Sequence, residues 1–241
     1  MDALIAESLT DQVRRLLQRV IEAGEIAPGT RIHEEEFAKK LGISKSPLRV
    51  ALHQLKQDGI IRIEPRKGIY VAMPKDEELL ELLEVREVLE GLAVRRAVKN
   101  ADDSFVRRLE ACFAGFDKQD LDARRLEYAA ADFRFQRLIV EASDSSELTK
   151  TLKNANVRIH MSRLFANHSG HHDLTPYHQE HLGMIEAFKA RDPIRAEAIA
   201  ISHVERVRTQ FIMKAHENIG DGREQQSAAR EIREANEFLT G

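Results

Sequence analysis

The sequence predicts a mainly α chain, with a small N-terminal domain of three helices and a β-hairpin followed by an all-α six-helix bundle. Three observations carry this expectation. Apolar residues recur at i, i+3, i+4 and i+7 through most of the 241 residues. Two β-rich runs, Ile60 to Ile63 and Ile69 to Ala72, stand as a pair around a short turn. Between them and the next helical pattern lies Ala72-Met73-Pro74-Lys75, where proline blocks both strand extension and helix entry before Asp76 caps the first helix of the bundle. The domains are therefore expected at 1–73 and 74–219, with 220–241 a polar tail that forms a frayed helix or stays disordered.

In chain order, Thr10 to Ala23 reads as an amphipathic helix with Val13, Leu16, Leu17, Val20 and Ile21 inward. His33 to Leu41 is a second, short helix with Phe37, Ala38 and Leu41 on its apolar stripe and Glu34, Glu35 and Glu36 near the positive end of its dipole. Gly42 then permits a sharp turn. In the third helix Leu48, Ala51, Leu52 and Leu55 share one face, and Lys45, Arg49, His53 and Lys56 share another. Ser44 or Ser46 can cap it, and Pro47 fits its first turn. Asp58-Gly59 signals a turn, and Glu64-Pro65-Arg66-Lys67-Gly68 forms the tip of a hairpin with two adjacent cations. A helix with an apolar back and a basic front suits the major groove of DNA, with the hairpin as a wing beside it. For Lys39, Lys40 and Lys56 a solvated face competes with a phosphate contact.

This order of features resembles the winged helix-turn-helix domain of the GntR-type bacterial transcription regulators. Ile26-Ala27-Pro28-Gly29-Thr30-Arg31-Ile32 is similar to the family's turn before the bracing helix, and Ile43 to Leu52 to its recognition-helix signature. The resemblance implies that Ser44, Lys45, Ser46 and Arg49 reach DNA from the helix, and Arg66, Lys67 and Gly68 from the wing. Lys45 stands where the family usually has Arg, a point charge in place of a planar fork, and Val50 where Glu is common.

Composition bounds the remaining classes. With 42% hydrophobic residues, three Tyr and no Trp, the chain is expected to be a soluble globular protein. It shows no apolar run of about 18 residues and no signal-peptide pattern. One cysteine, Cys112, excludes an internal disulfide, fits a cytoplasmic location, and reads as core beside Leu109, Phe113 and Phe116. The net charge of −3 hides an asymmetry: residues 1–74 carry 12 Lys and Arg against 10 Asp and Glu, a balance of +2, and the rest carries −5. Lys45, Arg49, Arg62, Arg66 and Lys67 are expected to gather on the recognition-helix and wing surface.

After the boundary, helical patterns run over roughly 76–99, 103–118, 121–142, 146–166, 176–190 and 194–217. Asp132 shares a face with Phe135, Gln136 and Ile139, which buries a carboxylate among apolar groups. His181 precedes Leu182 and Ile185, and His203 lies between Ile199 and Val207 on an apolar face. A carboxylate and two imidazoles from three helices would suit a divalent metal such as zinc, nickel or manganese, although a core histidine is more often simply hydrogen-bonded. His168, His171 and His172, with His160 and His178, could suggest a second metal cluster, but they read as a solvated loop, with His178 at the pocket entrance.

Residues 76–217 resemble the all-helical FCD effector-binding domain of the FadR-like GntR subgroup, on Val85 to Glu90, Asp132 to Gln136, Glu180-His181 and His203. The resemblance implies metal ligands at Asp132, His181 and His203. Position 136 is Gln where metal-binding members carry His, so the site either holds a metal with fewer strong donors or holds an anion directly through Gln136, His181 and His203. Arg86 is either a carboxylate anchor or the ion-pair partner of Glu90. The expected protein is a regulator, by resemblance a repressor, that binds double-stranded operator DNA as a homodimer and senses a small carboxylate. The alternatives are a metal-dependent enzyme built on Asp132, His181 and His203, and an architectural DNA binder with no effector.

Overall fold

The computed structural model describes residues 8–166 and 173–220, in two compact units that divide between Met73 and Pro74. The loop histidines His168, His171 and His172, and the tail from residue 221, lie outside the described residues.

In the first unit α1 (Leu9–Glu22) begins at Ser8, whose hydroxyl accepts a hydrogen bond from the Asp11 amide at 3.1 Å. It buries Val13, Leu17 and Ile21, and it packs along α3 (Lys45–Gln57), which buries Leu48, Ala51, Leu52 and Leu55. Between them come β1 (Arg31–Ile32) and α2 (Glu34–Leu41), which packs on α3; after them come β2 (Ile61–Glu64) and β3 (Gly68–Val71). The three strands form an antiparallel sheet in the order β1-β3-β2, with Arg31 opposite Tyr70 and Ile63 opposite Ile69. Two residues are too few for an alternating pattern, so β1 left no signature in the sequence; it is fixed by the Val71 amide, which donates to the Thr30 carbonyl at 2.9 Å.

Ser44 occupies the N-cap of α3 without a side-chain cap bond, and Ser46 lies inside the first turn with Pro47, so neither hydroxyl caps the helix. Gly42 closes α2 in the left-handed region at φ 64. Gly42→Ala is expected to cost about 1 kcal/mol, because a Cβ is disfavoured there. The check is a urea midpoint that falls at constant slope; an unchanged midpoint would contradict the assignment.

The second unit holds α4 (Asp76–Asn100), α5 (Asp103–Phe113), α6 (Arg125–Ala142), α7 (Ser146–Ala166), α8 (Thr175–Lys189) and α9 (Pro193–Gly220). Lys75, not Asp76, is the N-cap of α4, and Asp76 sits in its first turn. Helix α4 packs against α9, α6 and α7, while α8 packs against α9 and α5. Leu83, Val94, Leu109, Phe135, Ile139, Phe188 and Val204 form part of the common core, with Cys112 buried at its side. Helices expected over 103–118 and 121–142 are shorter than their apolar patterns. Gly115 turns left-handed at φ 84, the Asp117 carboxylate accepts from the Lys118 amide, and buried Leu121 belongs to the connecting turns rather than to α6. Among the described residues no helix is long and apolar enough to cross a membrane.

Candidate functional site

Two surfaces bear on function, one in each unit. In the first, α3 turns Lys45, Ser46 and Arg49 outward, opposite its buried Leu48 and Leu52, with Ser44 exposed at its start. Arg49 is not a lone cation. Its Nε donates to both Glu34 oxygens at 3.1 and 3.2 Å and its Nη2 to Oε2 at 3.2 Å, while Lys45 pairs with Glu35 at 3.3 Å. The glutamates that favour the start of α2 thus also reach across the turn to α3, a link that helical periodicity does not reveal. These pairs are exposed, so a polyanion can compete for the cations. On the β2–β3 wing Arg66 is exposed at the tip with φ 64, and Lys67 and Arg62 pair with Glu64 at 3.6 and 3.4 Å. Lys45, Gly68 and Arg31 border one concave surface, which puts the start of α3 and the base of the wing on the same side.

The second surface is internal. Asp132 from α6, His181 from α8 and His203 from α9 are all buried, and one ligand-type atom from each lies within 4.8 Å of the others. His181 Nε2 is 3.0 Å from Asp132 Oδ1, and its Nδ1 is 2.8 Å from the Tyr128 hydroxyl. Phe113 stacks on the ring at 4.6 Å between centroids. His203 Nδ1 lies 3.0 Å from Glu180 Oε2, and Arg206 Nε donates to the other Glu180 oxygen at 2.7 Å. Burial raises the pKa of Glu180, but the bonds from His203 and Arg206 outweigh it and hold the carboxyl below its usual range. That carboxylate accepts from Nδ1, so in the neutral ring Nε2 is the lone-pair nitrogen, and it is buried without a hydrogen-bond partner. Both side-chain atoms of Gln136, one helical turn after Asp132, are likewise buried without a partner.

Arg86 and Glu90 form a buried bidentate pair on the inner face of α4, so the ion-pair alternative for Arg86 is realised in this structure. Burial raises the Glu90 pKa, and Arg86 opposes that shift. Arg86, Asp132, Gln136, Asn156 and His160 border a cavity that holds about one water molecule. Asn156 and His160 were not among the expected site residues, although Leu152, Asn156 and His160 recur every four residues on α7, the same signal of a polar group on a buried face that singled out Asp132.

His178 is buried beside Phe113 and Tyr128, its ring edge-on to both, and burial pushes its pKa down, with His181 adding to the effect. The unfolded chain takes up a proton at this residue below about pH 6.5, and the folded one resists it, so stability is full above that value and lost as pH falls. Thermal unfolding is expected at a lower temperature at pH 5.5 than at pH 7.5, and His178→Leu should narrow the difference; an equal difference in the variant would contradict the assignment.

Compared with known proteins, residues 9–71 match the description "Bacterial regulatory proteins, gntR family", and residues 81–206 match the FCD domain. The chain belongs to the GntR family of bacterial regulators. The HTH-type transcriptional regulator YdhC of Bacillus subtilis is 28% identical over 193 residues, covering 78% of this chain and 84% of that one. The HTH-type transcriptional repressor RspR of Escherichia coli is 24% identical, covering 92% of this chain and 93% of that one. The solved structure of E. coli McbR/YncC superposes with a TM-score of 0.73 at 21% identity, over 87% of this chain and 99% of that one. The GntR assignment makes the chain a transcription regulator with a helix-turn-helix domain and an FCD domain, not an enzyme.

The FCD residues fit a divalent cation on their own chemistry. One carboxylate, two imidazoles and outer-shell partners on both rings make a three-donor set that such an ion can use. Tyr128 can donate to or accept from His181 Nδ1, so either tautomer of that ring is satisfied.

Proposed function

We propose that this GntR-family regulator binds a near-palindromic duplex as a homodimer and that a small carboxylate, docked in the FCD domain, changes its affinity for DNA. On the DNA side the contacts are Ser44, Lys45, Ser46 and Arg49 of α3 and Arg66, Lys67 and Gly68 of the wing. Phosphates are met by the cations and base edges by the start of α3, with each half-site about one helical turn from the other.

The observation that carries the ligand reading is the buried His203 Nε2, left without a partner beside Asp132 and His181. Asp132, His181 and His203 would hold a zinc, nickel or manganese ion, which when bound supplies a Lewis-acidic docking point for the effector carboxylate. Gln136 offers both a donor and an acceptor to that molecule, and His178 lies one turn from His181. Arg86 serves as an anchor only if Glu90 shares it. The cavity here is far smaller than any such acid, so binding displaces side chains, and a ligand that binds only a rearranged site shifts the population toward that arrangement.

A second reading keeps the effector and omits the cation. It is favoured by the two unpartnered Gln136 atoms, which could meet an anionic ligand directly. The test is a thermal-shift screen of carboxylated metabolites with and without divalent metals, followed by metal analysis of the purified protein. Stabilisation by an acid only when metal is present supports the first reading, and metal-independent stabilisation supports the second. If no acid or metal moves the unfolding temperature, the effector reading fails and the alternative without an effector replaces it.

A further inference from the structure

We propose that Arg31, on the edge strand β1, is a phosphate-binding residue of the DNA-facing surface, and that residue 68 is glycine so that the Arg31 side chain can lie across the base of the wing. The proposal rests on the reading of this unit as the DNA-binding one. A Cβ built on Gly68 would stand 2.8 Å from Arg31 Nε, 3.3 Å from Nη2 and 3.4 Å from Cζ, so a larger residue there would push the flexible end of Arg31 off the base of the wing. The backbone at Gly68 is at φ 137, which also favours glycine.

Among the described residues Arg31, like Arg66 at the wing tip, has no ion-pair partner, unlike the other cations near it. Lys45 is held by Glu35, Arg49 by Glu34, and both Arg62 and Lys67 by Glu64. Among the described residues no carboxylate lies within ion-pair distance of Arg31, which is exposed on the concave surface shared with Lys45 and Gly68. Its backbone is fixed by pairing with Tyr70, and its fork-shaped head can meet two phosphate oxygens at once. Three carboxylates border the same concavity. Glu34 and Glu35 are already neutralised by their partners; Glu36 remains to oppose an approaching phosphate, which limits Arg31 to the gain of a single contact.

Besides its place among the proposed wing contacts, Gly68 then acts as a positioning residue through Arg31, and a double-mutant cycle separates the two roles. The probe is a duplex enriched from a randomised pool by the wild-type protein, and the readout is affinity as a function of KCl. Arg31→Ala is expected to weaken binding about three- to tenfold and to make the slope of log K against log salt shallower by about 0.9 per unit bound. Gly68→Ala should weaken binding by a similar factor, and the double variant no more than Arg31→Ala alone. Arg31→Lys, which keeps the charge, should restore the slope and serves as the check if Gly68→Ala fails to fold. An unchanged slope in Arg31→Ala, or losses that multiply in the double variant, would overturn the proposal. Failure of the wild type to enrich any duplex would instead overturn the DNA-binding reading, and the proposal with it.

Discussion

Arg49→Ala is expected to lower affinity for a wild-type-selected duplex by about ten- to a hundredfold, with helix content and unfolding temperature nearly unchanged. The factor is that of one arginine lost from a groove or backbone contact. Two effects add. The variant removes the guanidinium, and it releases Glu34, whose carboxylate then faces the duplex unneutralised. The pair is exposed on the surface of α3, while the helix itself is anchored by Leu48, Ala51, Leu52 and Leu55 on the opposite face. Folding should therefore survive. Binding assays at several salt concentrations, with circular dichroism as the control, check this. Unchanged affinity would reduce Arg49 to a strut between α2 and α3 and remove the recognition helix from the proposed interface.

The second large effect is expected at His203. His203→Ala should abolish most of any stabilisation by zinc, nickel or manganese, with apparent affinity falling at least about a hundredfold, since loss of an outer-shell partner alone costs ten- to a hundredfold. Glu180 keeps its bond to Arg206, so the variant does not strand that carboxylate. Gln136→His is the converse. It puts an imidazole one turn after Asp132, on the same buried face, and is expected to tighten metal binding by about tenfold or more. The measurement is the unfolding temperature across a metal titration, because an ion that binds only the folded state raises it by mass action. Equal shifts in wild type and His203→Ala would contradict the assignment of His203 as a ligand.

Much of this architecture was legible in the sequence because it is written in period. The apolar stripe of α3, the hairpin flanking Pro65, and the inward placement of Asp132, Gln136, His181 and His203 all follow from residues repeating every three to four positions, or every second one in the hairpin. What escaped depends on contacts between elements. Strand β1 is too short to show a pattern and exists because β3 pairs with it. The bond from Arg49 to Glu34 joins residues 15 apart in sequence and on different helices. The orientation of His203 depends on Glu180, 23 positions earlier on another helix. The early end of α5 and late start of α6 come from a left-handed Gly115 and a buried Leu121 in the turns, where local chemistry overrode the apolar period. For Arg86 the residue types offered two partners, and only the geometry of α4 selects Glu90.

A hydroxyl-radical footprint of the wild-type protein on its selected duplex tests the central claim most directly. The account predicts two protected patches on one face of the helix, centred about one turn apart, each lost when Arg49 is replaced by alanine. A single patch, or protection that survives the substitution, would contradict it.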